Sequence, residues 1–346
     1  MRTLIIIFVL FFVIPFPVSA TEFVAPEVPE VGAKLMPAET ENFSAALLEM
    51  LQKAVHLIRP DLKEAASASL SVITVVMMLS VLRTFSCSIL SAANLAGTTL
   101  ITAVLLLGTN SLILLGANTV TQISNYGKLF LPVMTSALAA QGQITASAAL
   151  YAGSTVFITF LSNIISRILL PIVYLFLALS VAASATGEEI LKNARDMVKN
   201  AVSWCLKTIL TVFTTYISVT GIVSGTTDAV TLKATKVTIS SVVPVVGGIL
   251  SEASEAVLVS AGLMKSAAGV YGILAILAIF LEPFLRIGSH YLLLRLTAAV
   301  CAVFGIKTTT DLISDFSSAM GLLLAMTGAV CLILLISTVC FMKGVG

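Results

Sequence analysis

Charge is what this sequence has least of. Only 10% of its 346 residues are Asp, Glu, Lys or Arg, against about 25% in an ordinary soluble domain. With 58% hydrophobic residues, a soluble core of this length cannot hide the apolar surface. Histidine is nearly missing too. His56 and His290 are the two, too few for a His-based metal site or triad. No Gly-rich phosphate loop ending in Lys-Ser/Thr, no HExxH and no GxSxG occurs. No nucleophile–base–orienter set can be assembled, so an enzyme is the least favoured class, and no cofactor or metal is expected. The five cysteines (Cys87, Cys205, Cys301, Cys331, Cys340) lie in or beside apolar runs without CxxC spacing. They read as small buried hydrophobes. The net charge is +2 and the basic residues are scattered, which argues against nucleic acid as a partner. The alternating segments of about ten residues that mark a membrane barrel are also lacking.

What is present is a series of apolar runs longer than about 18 residues, enough to bridge a hydrocarbon core roughly 30 Å thick. The expected fold class is all-α, a polytopic transmembrane helical protein with about 8–10 spans. Residues 1–20 read as a secretory signal peptide: Arg2, an apolar core, then Val18-Ser19-Ala20 as a small-x-small cleavage site. An uncleaved anchor is the alternative. Residues 21–64 form a polar leader on the far side of the membrane, with eight acids against four bases. It begins Pro- and Glu-rich. It becomes amphipathic from Phe43 to Ile58, with Phe43, Leu47, Met50, Leu51, Ala54, Val55 and Ile58 at helical spacing. A solvated surface helix and a docking segment for another extracytoplasmic protein are the two readings.

The polytopic domain covers residues 65–346. Expected spans are Ala65–Leu82, Leu95–Ala117, Leu150–Ser166, Ile168–Ala185, Ala201–Val223, Ile287–Ile306 and Ala319–Met342. Leu131–Ala149, with Pro132 and Gly142, is a short span, a broken helix or a re-entrant segment. The residues 187–207 are the best candidate for a cytoplasmic loop under the positive-inside rule, and they fall inside only if Leu131–Ala149 crosses. Trp204 sits where an interfacial anchor would. His290 reads as an interfacial helix-end residue. Gly221-x-x-x-Gly225 suits close helix approach. The Leu131-Pro132 and Val243-Pro244 pairs, and Leu170-Pro171 and Glu282-Pro283, share an offset of 112 residues. They suggest a duplicated unit (95–186 and 201–306, with an extra span at 319–342), with shared composition as the rival explanation.

The stretch from Thr231 to Pro283 holds the candidate site. It carries Lys233, Lys236, Glu252, Glu255, Lys265 and Glu282 in apolar surroundings, with Pro244 and the Gly247-Gly248 pair as a helix break. An ionisable group at a membrane helix centre costs roughly 2.5–3.5 kcal/mol on translocon scales, so such groups face protein or water. Glu252 and Glu255 are three apart and share a helix face. They line a polar path or pair between subunits with Lys265, or the segment lies amphipathically at the interface with its glutamates in water. Lys233 and Lys236 suit contact with partner subunits or lipid headgroups.

These residues also carry a resemblance. Lys233-Ala-Thr-Lys236, Val243-Pro-Val-Val-Gly247, Leu250-Ser-Glu-Ala-Ser-Glu255, Leu263-Met-Lys265-Ser-Ala-Ala-Gly269-Val-Tyr-Gly272 and Glu282-Pro283 resemble the stage III sporulation protein AE family of endospore-forming Firmicutes. The similarity covers roughly residues 43–342. It implies a multi-pass protein of the mother-cell membrane that engulfs the forespore, acting in a secretion-like transenvelope channel needed for forespore development. It implies as partners the other proteins of the stage III sporulation A operon and a forespore membrane partner, in an oligomeric assembly with membrane lipids, and no enzymatic activity. A stand-alone secondary transporter and a passive membrane scaffold are the alternative functions.

Overall fold

The computed structural model describes the backbone of residues 26–37, 43–85, 90–242 and 247–343, and the side chains of 26–37, 43–82, 95–220 and 267–343. The signal peptide expected at 1–20 and Pro244 lie outside the described residues. The elements are α1 (Glu30–Ala33), α2 (Phe43–Phe85), α3 (Leu90–Ala140), α4 (Ile144–Ile164), a π-helical turn (Ile165–Leu169), α5 (Leu170–Thr186), α6 (Glu189–Val242), α7 (Gly247–Ala302) and α8 (Lys307–Lys343). Among the described residues, six helical stretches are long and apolar enough to cross a membrane: Phe43–Leu82, Leu95–Ala140, Ile144–Thr186, Glu189–Thr220, Ala267–Ala302 and Lys307–Lys343. The chain is a multi-pass, all-helical membrane protein.

The expected breaks fall in fewer places than the polar residues suggest. Arg167 and Pro171 do not separate two spans. Proline has no N–H to bond the carbonyl four residues back and its ring crowds it. Here the ladder widens just before Pro171, with Leu170 N–H bonding Ile165 O, so the helix runs on through a π turn. The leader helix likewise continues through Pro60 into the first span as one 43-residue helix. Leu131–Ala149 does not cross. It is the last turns of α3, a turn at Gln141–Gln143 and the first turns of α4. The basic stretch 187–207 is not a loop. Gly187, at φ 78°, ends α5 in the left-handed conformation, and α6 begins two residues later. Gly142 (φ 84°) and Gly305 (φ 73°) close α3 and α7 in the same way, a conformation that costs other residues energy.

Short connections between long helices give alternating directions. α3, α6 and α8 run one way, and α2, α4–α5 and α7 the other. The contacts that fix this are Arg286 with Asp61, Ser80 with the Phe304 carbonyl, Arg195 with Asp315, and Tyr174 O–H on Asn110 Oδ1 at 2.8 Å. α8 is the central column, with 61% of its most apolar window buried against 28% for α2 and α6. At about 1.5 Å per residue, its 37 residues run roughly 55 Å. The bundle therefore extends beyond a hydrocarbon core about 30 Å thick, or tilts within it.

Lipid chains are as apolar as leucine, so close packing rather than water exclusion joins such helices. Gly272 of α7 lies where a Cβ would strike the ring of Phe130 on α3, and Gly269 lies against Met342 of α8. Phe130 is fully buried and stacks on Tyr126 at 5.5 Å. Gly153 of α4 makes room for Tyr216 of α6, whose O–H donates to the Ala149 carbonyl at 3.0 Å. The leader helix docks rather than floats. Ala46, Met50, Ala54 and Leu35 pack on Leu274 and Ala278 of α7. The buried stripe is 46, 50, 54 and 58, while Phe43, Leu51 and Val55 of the expected set face outward.

Candidate functional site

Glu282, Arg286 and His290 follow one another at four-residue intervals on α7, so they form one stripe along the helix. The stripe faces α2. Arg286 Nη2 donates to Asp61 Oδ1 at 2.7 Å, and its Nη1 lies 3.6 Å from Glu282 Oε1. The guanidinium thus bridges one carboxylate on its own helix and one on the neighbour. Both carboxylates adjoin a proline inside a helix: Pro60 precedes Asp61, and Pro283 follows Glu282. Each proline leaves the carbonyl four residues earlier without its helical N–H. His290 Nδ1 is 3.0 Å from the Arg286 carbonyl. A carbonyl only accepts, so Nδ1 is the donor in this contact.

This stripe borders a cavity of about 360 Å³ between α2, α3 and α7. Asp61, Glu64 and Arg286 form its charged side, with His290 beside them. Ser69, Thr109 and Ser111 add hydroxyls, and Val104, Leu105, Leu112 and Leu294 close the apolar side. Gly108 on α3 meets no atom within 4 Å where a Cβ would sit, so the helix is thin where it borders the space. The pair is partly exposed, with side chains 33% and 24% accessible. Such an arrangement holds charge inside an apolar bundle at reduced cost, because each ion has a partner and borders a partly polar cavity. It suits a polar passage or a contact that opens and closes between α2 and α7.

A second polar seam joins α6 to α8. Arg195 Nη1 donates to Asp315 Oδ2 at 2.7 Å, and the two side chains are only 13% and 12% exposed. Asp196 is also within 2.9 Å of Arg195. Lys199, one turn on, donates to Ser318 Oγ at 3.0 Å. Asp315 is therefore buried inside a helix.

The residues singled out by sequence fall mostly elsewhere. Lys233 and Lys236 lie in α6, and Gly247, Gly248, Glu252, Glu255 and Lys265 in α7, but their side chains are outside the described set. Among the described residues of that stretch, Glu282 does not line the cavity itself but lies 3.6 Å from Arg286, which does. His290 is not at a helix end: it lies twelve residues before Ala302, on the cavity wall. Trp204 is 70% exposed, as an outward anchor requires. Cys301 and Cys331 are buried and unbridged, and Cys205 and Cys340 half-buried and unbridged, in keeping with their hydrophobic reading. Asp61, Arg286 and Arg195 were missed as site residues. The available signal was spacing: an ionisable residue four and eight positions after Glu282 within an apolar run.

The family model described as stage III sporulation protein AE matches residues 32–344, which takes in both polar seams and all six long helices. The chain belongs to the stage III sporulation protein AE family. A relative from Bacillus subtilis (strain 168), named stage III sporulation protein AE, is 27% identical over 188 residues. That match covers 53% of this chain and 47% of the relative. No solved structure matches the chain. The family places the protein in sporulation.

Proposed function

We propose that this chain is the polytopic membrane subunit of a secretion-like channel complex that joins mother cell and forespore and sustains forespore development. The observation that carries the reading is the Asp61–Arg286–Glu282 bridge beside a cavity inside an otherwise apolar bundle. A scaffold that only gathers other subunits has no need of a guanidinium held between two helices at a cavity. In this reading the chain performs no catalysis. It sits in the mother-cell membrane around the forespore and works with the other proteins of its operon and a forespore membrane partner. Glu252, Glu255 and Lys265 are assigned to a polar path or to pairing between subunits, Pro244, Gly247 and Gly248 to a helix break, and Lys233 and Lys236 to contact with partners or headgroups.

The test is a forespore-specific late transcription reporter, read after engulfment. Deletion of the gene is expected to silence it, and the Glu252→Leu/Glu255→Leu variant is expected to do the same while still inserting. A reporter that fires normally in the deletion strain overturns the channel reading. The cavity's carboxylates and His290 favour a second reading, a secondary transporter. Gradient-driven solute flux by the purified chain alone in liposomes is the result that selects it.

A further inference from the structure

Beyond the cavity, a second concave site lies between α6, α7 and α8. It is a groove of about 390 Å³ whose lining includes Lys199, Ser203, Tyr291, Arg295, Ser317 and Ser318. Among the described residues, neither Lys199 nor Arg295 has a carboxylate within ion-pairing distance. Lys199 Nζ is bound to Ser318 Oγ at 3.0 Å. Arg295 Nη1 donates to Tyr291 O–H at 2.6 Å, with its guanidinium carbon 5.9 Å from the ring centre. The nearby Asp315 is engaged by Arg195. The Ser318 and Tyr291 oxygens already accept from these cations, so their own O–H protons are left to donate. Two cations and two hydroxyl donors converging on one groove are the chemistry that recognises a phosphate.

The depth of the groove identifies the source of that phosphate. Six of the twelve residues 188–199 are charged, but Lys207 is the only charged residue from 200 to 220. The dense charge at the start of α6 therefore ends at Lys199, the level at which the hydropathy of the helix sets its water–hydrocarbon boundary. The outward-facing Trp204 lies just beyond, in the position of an interfacial aromatic. Lipid phosphates occupy that level. We propose that the Lys199–Arg295 groove binds the phosphate of an anionic membrane lipid.

The test is native mass spectrometry of the full chain in detergent, titrated with phosphatidylglycerol or phosphatidylcholine, with and without excess inorganic phosphate. Wild type is expected to retain phosphatidylglycerol over phosphatidylcholine, and inorganic phosphate is expected not to displace it. Losing each cation in Lys199→Gln and Arg295→Gln should weaken retention about fivefold, while Lys207→Gln, an exposed cation on the same helix, leaves it unchanged. Arg295→Lys, which keeps the charge, should keep most of the preference. Equal retention of both lipids by wild type overturns the proposal, as does full displacement by inorganic phosphate or an undiminished preference in the Lys199→Gln/Arg295→Gln variant. The wild-type comparisons stand even if a variant does not fold.

Discussion

The two described halves of α7 pack against the same neighbours with opposite chemistry. From Ala267 to Leu281 there is no charge: Leu274, Ala275, Ile276, Ala278 and Ile279 are fully buried, and Gly269 and Gly272 bring Met342 and Phe130 into contact. From Glu282 onward an ionisable residue recurs every fourth position, then Arg295 follows. The first half fixes where α7 sits. The second holds charges that a packing role does not require, next to a cavity and a groove. On the proposed reading the difference separates two jobs on one helix, stability before Glu282 and function after it.

The strongest way to break this division is to damage the dry half and look for a functional defect beyond simple loss of protein. Ile279 is fully buried, and a Cβ at Gly32 of the leader would collide with it. Ile279→Ala removes contacts on all sides and leaves a void, with an expected cost of about 2–5 kcal/mol. Unfolding of the purified chain by a denaturing detergent should shift accordingly. The sporulation reporter should fall only in proportion to the chain that accumulates. A silent reporter at normal accumulation would mean that the dry half is part of the working mechanism.

A smaller stability change with a larger functional one is expected in the polar half. Arg286→Gln removes the bridge, but Asp61 stays partly exposed at the cavity, so the cost is about 1–3 kcal/mol. Asp61→Asn combined with Arg286→Gln should recover part of it, because no unpaired charge remains. Both variants are nevertheless expected to lose the reporter while the chain accumulates. Reporter activity restored in the double variant would reduce the bridge to a structural fastening.

How much of this division was legible follows from what each half offers the reader of a sequence. The membrane class, the all-helical fold and the outward Trp204 follow from hydropathy and composition, which act locally. The joined helices did not. Arg167 and Pro171 look like a boundary, and only the π turn at Ile165–Leu169 explains how the helix survives them. The site was half legible. Glu282 stood out, but Asp61, the other carboxylate on Arg286, comes from 225 positions before that arginine, in a leader that hydropathy assigns to water. Pairing of that range depends on which helices become neighbours, and local pattern does not determine it. The αL glycines at 142, 187 and 305 decide the true turns, yet a glycine among 21 is a weak signal alone.

The finest division lies within the bridge itself. Glu282 is the nearer carboxylate in sequence but the weaker partner, at 3.6 Å against 2.7 Å for Asp61. Pairs four apart on one helix contribute about 0.3–0.5 kcal/mol. Removing the charge also removes the cost of holding a carboxylate that is only 14% exposed. These effects oppose each other, so Glu282→Gln is expected to shift unfolding by no more than about 0.5 kcal/mol. Its reporter activity should fall less than that of Arg286→Gln, since the link from α7 to α2 through Asp61 stays intact. If Glu282→Gln is instead the more damaging of the two, the working element is the carboxylate on α7, acting on the cavity. The guanidinium would then serve to hold it, and the cross-helix pair would be its anchor.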